Sequence, residues 1–132
     1  VGDIPVADRL EQANERTTFF ALIETGEGAH NADMIAATSG VDCIWIGHFD
    51  LTASLGIPGK FDHPEYRRAL EMIVSAAKNN NVALGRLVST VEEGLSDLEQ
   101  GFDFCCYATD TALYQRSLII SLNQLRGAGN GK

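Results

Sequence analysis

Hydrophobic and polar positions alternate in blocks along the chain, and each block has the length of a strand or a helix. Four short apolar runs rich in β-branched and aromatic residues predict strands. Continuous apolar runs of this kind are typical of parallel strands that are buried on both faces. The predicted strands are Thr17–Ile23, Val41–Gly47, Val82–Val88 and Phe102–Ala108.

Amphipathic segments precede and separate these strands, and several begin with a capping signal. Asp62 with Glu65 and Thr90 with Glu93 form capping boxes, and Asp110 can cap the last helix. Residues 127–132 are expected to form a flexible tail. The predicted helices are Ile4–Asn14, Gly26–Thr38, residues 62–80, residues 90–101 and residues 110–126.

One leading helix and four strand–helix units therefore predict a single α/β domain over residues 1–132, with a parallel sheet and right-handed connections. Four strands are compatible with a small open sheet or with half of an α/β barrel. A complete barrel needs roughly 250 residues. The chain begins with Val1, which fits a fragment, a processed chain or an unusual start equally well.

The composition argues against several classes of binding partner and site. The net charge is −8 and no basic run is present, so we expect neither a nucleic acid nor an anionic membrane surface as a partner. No signal peptide is visible, and no apolar run approaches the ~18 residues that suggest a membrane span. The three cysteines, Cys43, Cys105 and Cys106, lie in apolar runs without a C-x-x-C pattern. We expect reduced core thiols in a cytoplasmic protein rather than a zinc or redox site.

Two carboxylates follow neighbouring predicted strands. Glu24 closes the first apolar run, and Asp50 comes three residues after the second. Ligands bind at the carboxyl ends of strands in parallel α/β folds, and carboxylates suit Mg²⁺ or Mn²⁺. The alternative interpretation is that both are solvated loop acids or helix caps, which are common where a strand leads into a helix.

Residues 21–70, together with the segment GFDFCCYATDTALYQR at residues 101–116, resemble the HpcH/HpaI aldolase family, the class II pyruvate aldolases. The resemblance covers almost the whole chain, with its elements in the family's order and spacing. The matching motifs are Ile23-Glu24-Thr25, Gly40-Val41-Asp42, Gly47-His48-Phe49-Asp50-Leu51-Thr52, His63-Pro64-Glu65 and Asp110-Thr111.

The resemblance implies that the chain corresponds to strands five to eight of a TIM barrel, a half-barrel. It implies that Glu24 and Asp50 bind a divalent metal that chelates pyruvate and stabilises its enolate, which adds to an aldehyde or is released by retro-aldol cleavage. It also implies that backbone N–H groups of Phe49 and Asp50 hold the pyruvate carboxylate. Leu87 and Thr109 correspond to positions that line the family's aldehyde pocket.

Several positions depart from the family. Its first half, with an arginine and a histidine of the active site, has no counterpart, and Leu22 replaces a glutamine. His48 is either a replacement acid or base or, more in keeping with a turn, a partly exposed histidine. Arg86 could replace the missing arginine. Because Leu87 is expected to face the pocket, however, Arg86 should point to the helix layer.

These departures leave two functions open: a metal-dependent lyase acting on pyruvate and an aldehyde, and a non-catalytic half-barrel that binds metal or a small oxo-acid or serves in assembly. A half-barrel has two open edges and an uncovered inner face, so we expect a homo-oligomer. Two copies could close an eight-stranded barrel, or they could exchange the C-terminal helix, as the resemblance implies. A third possibility is that one helix folds over the gap.

Overall fold

A computed structural model describes residues 4–129 of the chain and confirms the predicted α/β fold with four parallel strands. The strands are β1 (Phe20–Ile23), β2 (Cys43–Ile46), β3 (Ala83–Val88) and β4 (Phe104–Tyr107), and they are hydrogen-bonded in the order β1-β2-β3-β4. The helices are α1 (Val6–Arg16), α2 (Gly26–His30), α3 (Ala32–Ala36), α4 (His48–Ser54), α5 (Pro64–Asn80), α6 (Val91–Glu99) and α7 (Asp110–Gly129).

The sheet register separates the side chains into two faces. Leu22 of β1 lies beside Trp45 of β2, which lies beside Gly85 of β3 and then Phe104 of β4. The next residue of each strand points to the other face, because side chains alternate along a strand. We call the face that carries Leu22, Trp45 and Phe104 the inner face, and the opposite one the outer face.

The hydrophobic core lies between the outer face and the helices. Ile44 and Ile46 of β2 and Ile73 of α5 have no exposed surface, and Ile23 is 1% exposed. Alanines on the facing helices allow these helices to approach the sheet closely, and they are buried at Ala29, Ala32, Ala36, Ala69, Ala76 and Ala77. Burial of branched and small apolar side chains on this one face stabilises the half-barrel.

The inner face lacks such a cover, which corrects the expectation that the strands are buried on both faces. Phe20 is 47% exposed and Leu22 is 53% exposed. The rings of Phe20 and Phe104 meet edge to face with centroids 5.6 Å apart, and Trp45 lies 5.9 Å from Phe104. Trp45 is therefore half-buried on the inner face, rather than in the core as a tryptophan in an apolar run suggests.

Helix α7 does not close this face. It contacts the sheet through Arg116, which donates hydrogen bonds to the Tyr107 hydroxyl and to the Ser89 carbonyl. Its apolar residues stay largely exposed, including Leu113, Ile120 and Leu125. The third arrangement considered above, in which one helix folds over the gap, is therefore not observed within residues 4–129.

Helix boundaries differ from the sequence prediction at two caps. His63, not Asp62, caps α5, because its Nδ1 accepts a hydrogen bond from the Glu65 backbone N–H, whereas Asp62 pairs with Arg67. The hydroxyl of Thr109 accepts from the backbone N–H of Ala112 at the start of α7, which is the bond expected of a cap. The box at α6 is confirmed, with Thr90 accepting from Glu93.

Three further expectations need correction. Cys43 is buried, but Cys105 and Cys106 are exposed free thiols, because β4 is an edge strand with little cover. Residues 48–54, predicted as a turn and loop, form helix α4. Helix α7 runs to Gly129, so part of the expected tail at residues 127–132 is helical and the rest lies outside the described residues.

None of the helices described is long and apolar enough to cross a membrane.

Candidate metal and oxo-acid site

Glu24 and Asp50 lie at the same edge of the sheet. Glu24 directly follows β1, and Asp50 is in the first turn of α4, the helix that follows β2. Because β1 and β2 are parallel neighbours, both strands end at this edge. The two carboxylates line one cavity of about 260 Å³, together with inner-face residues that include Leu22, Trp45 and Leu87. The fold thus brings the two carboxylates to one cavity, and their role as metal ligands stays a prediction.

Gly47 fixes how closely Glu24 approaches the β2–α4 turn. A Cβ atom at position 47 would lie 2.7 Å from the Cβ and 3.2 Å from Oε2 of Glu24. Any other residue would therefore force Glu24 or the turn to shift, because packed atoms cannot approach this closely. The backbone N–H of Gly47 also donates to the Ile23 carbonyl at 3.0 Å, which joins the end of β2 to the end of β1.

Helix α4 begins immediately after Gly47. Its first intrahelical hydrogen bond runs from the N–H of Leu51 to the carbonyl of Gly47 at 2.8 Å. Phe49 and Asp50 are the second and third residues of the helix, positions whose N–H groups have no carbonyl within the helix to bind. Their backbone donors are thus at the end of α4 that lies beside the cavity, although both side chains are exposed.

His48 lines the same cavity but is 8% exposed, so the interpretation as a partly exposed turn histidine is wrong. Its ring packs against Phe49 and Phe61, with centroids 4.5 and 5.5 Å away. Burial lowers the pKa of His48, and the nearby charge of Arg86 lowers it further. Both effects favour the neutral imidazole, and its proposed role as an acid or base stays a prediction.

Arg86 points to the helix layer, as the alternation with Leu87 predicts. Its guanidinium donates two hydrogen bonds to the Asp97 carboxylate of α6, both at 2.6 Å, and its Cζ lies 5.7 Å from the ring centroid of Phe102. Burial opposes the charge on Arg86, but the hydrogen bonds and charge of Asp97 outweigh it, so the pKa is raised. The arginine is a partly buried structural group that pairs with Asp97, which corrects its interpretation as a replacement for the family's active-site arginine.

Thr109, like Arg86, is a candidate that does not line the cavity. Its side chain is exposed and its hydroxyl lies 3.0 Å from that of Thr111 at the start of α7. Leu87, by contrast, lines the cavity on the inner face. Sequence reasoning missed Gly47 and Asp97. The signal for Gly47 was a glycine at the end of an apolar strand, which suggests a close approach of another group. The signal for Asp97 was an arginine inside an apolar strand, which suggests a buried acidic partner.

The donor set fits a hard divalent cation in part. Two carboxylates at one cavity are ligands that Mg²⁺ accepts, because Mg²⁺ usually keeps several waters and needs one or two protein carboxylates. Gly47 leaves the Glu24 carboxylate room to lie against the turn. In the part of the chain that the structure describes, no group of three or more His, Cys, Asp or Glu residues converges. Water and substrate oxygens would have to complete the coordination.

Comparison with known proteins decides the family. The model of the HpcH/HpaI aldolase/citrate lyase family matches residues 3–117, which is most of the chain. The chain belongs to this family. The resemblance seen in the sequence motifs is therefore confirmed, and a solved structure of the same family shares the fold.

Individual relatives agree with this assignment. The chain is 36% identical over 110 residues to a 5-keto-4-deoxy-D-glucarate aldolase of Shigella boydii, covering 83% of the chain and 43% of the relative. A crystal structure of an HpcH/HpaI aldolase/citrate lyase family protein from Burkholderia cenocepacia superposes with a TM-score of 0.84 at 30% identity, over 90% of this chain and 46% of that one.

A third relative shows that the fold carries more than one reaction. The citrate synthase SbnG has a TM-score of 0.85 and 28% identity, over 96% of this chain and 51% of that protein. The chain thus spans about half the length of the proteins it matches. Its relatives include an aldolase and a citrate synthase.

Proposed function

We propose that this chain carries the metal-binding half of an active site that makes or breaks a carbon–carbon bond between a pyruvate-type 2-oxo acid and an aldehyde. The observation that carries the proposal is the pair Glu24 and Asp50 at one cavity, on the strand ends where the family motifs place them. Membership of a family of aldolases and lyases supports the same reaction class.

Glu24 and Asp50 would hold the metal, Mg²⁺ or Mn²⁺. When bound, such an ion polarises the oxygens of a 2-oxo acid and stabilises the negative charge that develops on the keto oxygen. The N–H groups of Phe49 and Asp50 at the start of α4 would orient the acid's carboxylate. Leu22, Trp45 and Leu87 form an apolar wall along the cavity that would exclude water from one side of the substrate.

The same geometry supports a second function, binding without catalysis. Arg86 is committed to Asp97, and no lysine or arginine of the described residues lines the cavity. His48 does line it, but its ring is 8% exposed and packs against Phe49 and Phe61, which leaves it little room to take a proton from a substrate. Removal of a general base or of a charge-stabilising group typically costs several powers of ten in rate. A half-barrel with the metal pair alone would therefore bind a metal or a small oxo-acid and turn over slowly or not at all.

Proton exchange into pyruvate tests the proposal. The chain is incubated with pyruvate and Mn²⁺ or Mg²⁺ in D₂O, and the methyl proton NMR signal is followed over time. We expect metal-dependent loss of this signal, which disappears in Asp50→Asn and Glu24→Gln. A metal-only sample gives the background rate.

Metal binding is measured separately by titration calorimetry or by Mn²⁺ electron paramagnetic resonance. The non-catalytic function would be supported if the unmodified chain binds metal but does not exchange the pyruvate protons. Each of the two variants should then lose metal binding. Wild-type affinity in both variants, with unchanged circular dichroism, would show that Glu24 and Asp50 are ordinary loop acids and would refute both functions.

A further inference from the structure

The inner face of the sheet is apolar and largely uncovered. Phe20 and Leu22 of β1 are about half exposed, at 47% and 53%. Rings of Phe20, Trp45 and Phe104 form a continuous patch across the strands. A patch of this size is unusual on the surface of a monomeric soluble protein and indicates an interaction surface.

Both edges of the sheet are also free. Within residues 4–129, β1 pairs only with β2 and β4 pairs only with β3. Each edge therefore presents a row of backbone N–H and C=O groups that can pair with another strand. The two edges have equal length, four residues each, and run in the same direction.

We propose that a second copy of this chain covers the inner face, so that β1 of each copy pairs with β4 of the other and eight parallel strands close into a barrel. A two-fold axis along the barrel satisfies both edges at once, because rotation about that axis keeps every strand parallel. Eight is also the number of strands at which a barrel interior is just filled by side chains.

The coverage of solved relatives agrees with two copies. The chain superposes on 51% of the citrate synthase SbnG and on 46% of the Burkholderia protein. Two copies together would have about the length of one such protein, and the second copy would add four strands and a second apolar inner face. The aromatic patch of each copy then faces that of the other, which removes both from water.

Closure would also complete the candidate site. The cavity beside Glu24 and Asp50 has walls from β1, β2 and β3 but none from the opposite side. Because all strand ends point the same way, the second copy would bring its own Glu24 and Asp50 to the same end of the barrel. Each metal site would then be enclosed by residues of both copies.

Sedimentation equilibrium of the chain tests the association, in buffer with EDTA so that the outcome is independent of metal binding. We expect twice the 14.2 kDa of the chain at micromolar concentration. Phe20→Glu should give a monomer with unchanged circular dichroism, because residue 20 is already 47% exposed in the single chain. Met34→Glu is the matched control, since Met34 is 67% exposed on α3 in the outer helix layer.

Thiol labelling gives an independent readout in the variant Cys105→Ser. Cys106 lies beside Leu87 on the inner face and is exposed in the single chain. We expect its labelling to be at least roughly tenfold slower at high concentration than after dilution below the dissociation constant.

The proposal is overturned if the chain is a monomer at about 100 μM, a concentration at which even a weak specific dimer forms. It is also overturned if Phe20→Glu associates as tightly as Met34→Glu, because a dimer formed only by exchange of α7 would leave Phe20 free. Labelling of Cys106 that is independent of concentration would exclude closure in the same way.

Discussion

At the scale of single residues, the candidate site depends on one glycine and one ion pair as much as on its two carboxylates. Gly47 leaves space for Glu24 at the end of β2. Arg86 and Asp97 form a bidentate pair between β3 and α6, with side chains 18% and 2% exposed. Neither feature is a ligand, yet each has a consequence that can be measured.

Replacement of Gly47 by Ala should weaken metal binding without unfolding the chain. Its φ of −83° suits any residue, so the only cost is the contact of the new Cβ with Glu24. We expect the Mn²⁺ dissociation constant to rise roughly tenfold, as for other residues that orient a ligand. Gly127→Ala is the control, because no atom lies within 4 Å of that added Cβ. Equal Mn²⁺ affinity in both variants would show that Gly47 does not position Glu24.

Replacement of Arg86 by Met should be strongly destabilising. It leaves the carboxylate of Asp97 buried without its partner, which typically costs about 3–5 kcal/mol. The double variant Arg86→Met/Asp97→Leu should recover most of this loss, because neither charge remains. Urea unfolding followed by circular dichroism measures both. A single variant as stable as the wild type would mean that Asp97 finds another partner or is not buried.

At the scale of elements, local signals and tertiary packing decide different features. The strands, α5 and α6 follow from periodicity and capping residues, and Asn81 ends α5 in a left-handed conformation with φ of 56°. Helix α4 has no such signal. It forms because the chain turns back from the buried strand β2 and buries Leu51 and Thr52, both 0% exposed.

The N-cap of α6 is the clearest element for a stability test. Thr90 accepts a hydrogen bond from the Glu93 N–H at 3.1 Å, and Glu93 in turn accepts from the Ser89 N–H at 2.7 Å. Thr90→Ala should lower the free energy of unfolding by about 1 kcal/mol, whereas Thr90→Ser should change it little. Equal urea midpoints for the two variants would argue against the cap.

At the scale of the whole molecule, charge opposes the association that the apolar inner face favours. Each copy has a formal charge of −8, so two copies repel each other at low ionic strength. Salt screens this repulsion and leaves apolar burial unaffected or stronger.

The dimer should therefore tighten as salt is added. We expect its dissociation constant to fall roughly tenfold between about 0.05 and 0.5 M NaCl. Sedimentation equilibrium at several salt concentrations measures this, with Phe20→Glu as a control that stays monomeric throughout. Weaker association at high salt would point to an interface held by ion pairs rather than by the aromatic patch.

The sequence by itself determined the α/β class, the four strands and their order, the family, and the positions of Glu24 and Asp50 just after the first two strands. It could do so because hydrophobic period, capping residues and motif spacing are local properties of the chain. The outward direction of Arg86 also followed from the alternation of side chains along β3.

Only the tertiary structure decided the burial of His48, the partner of Arg86 and the exposure of the inner face. Burial depends on what packs from elsewhere in the chain: Phe61 covers His48, and Asp97 reaches Arg86 from α6. Apolar runs predict strands that are buried on both faces of the sheet. Within residues 4–129, the four strands form an open sheet, and only its outer face is covered by helices.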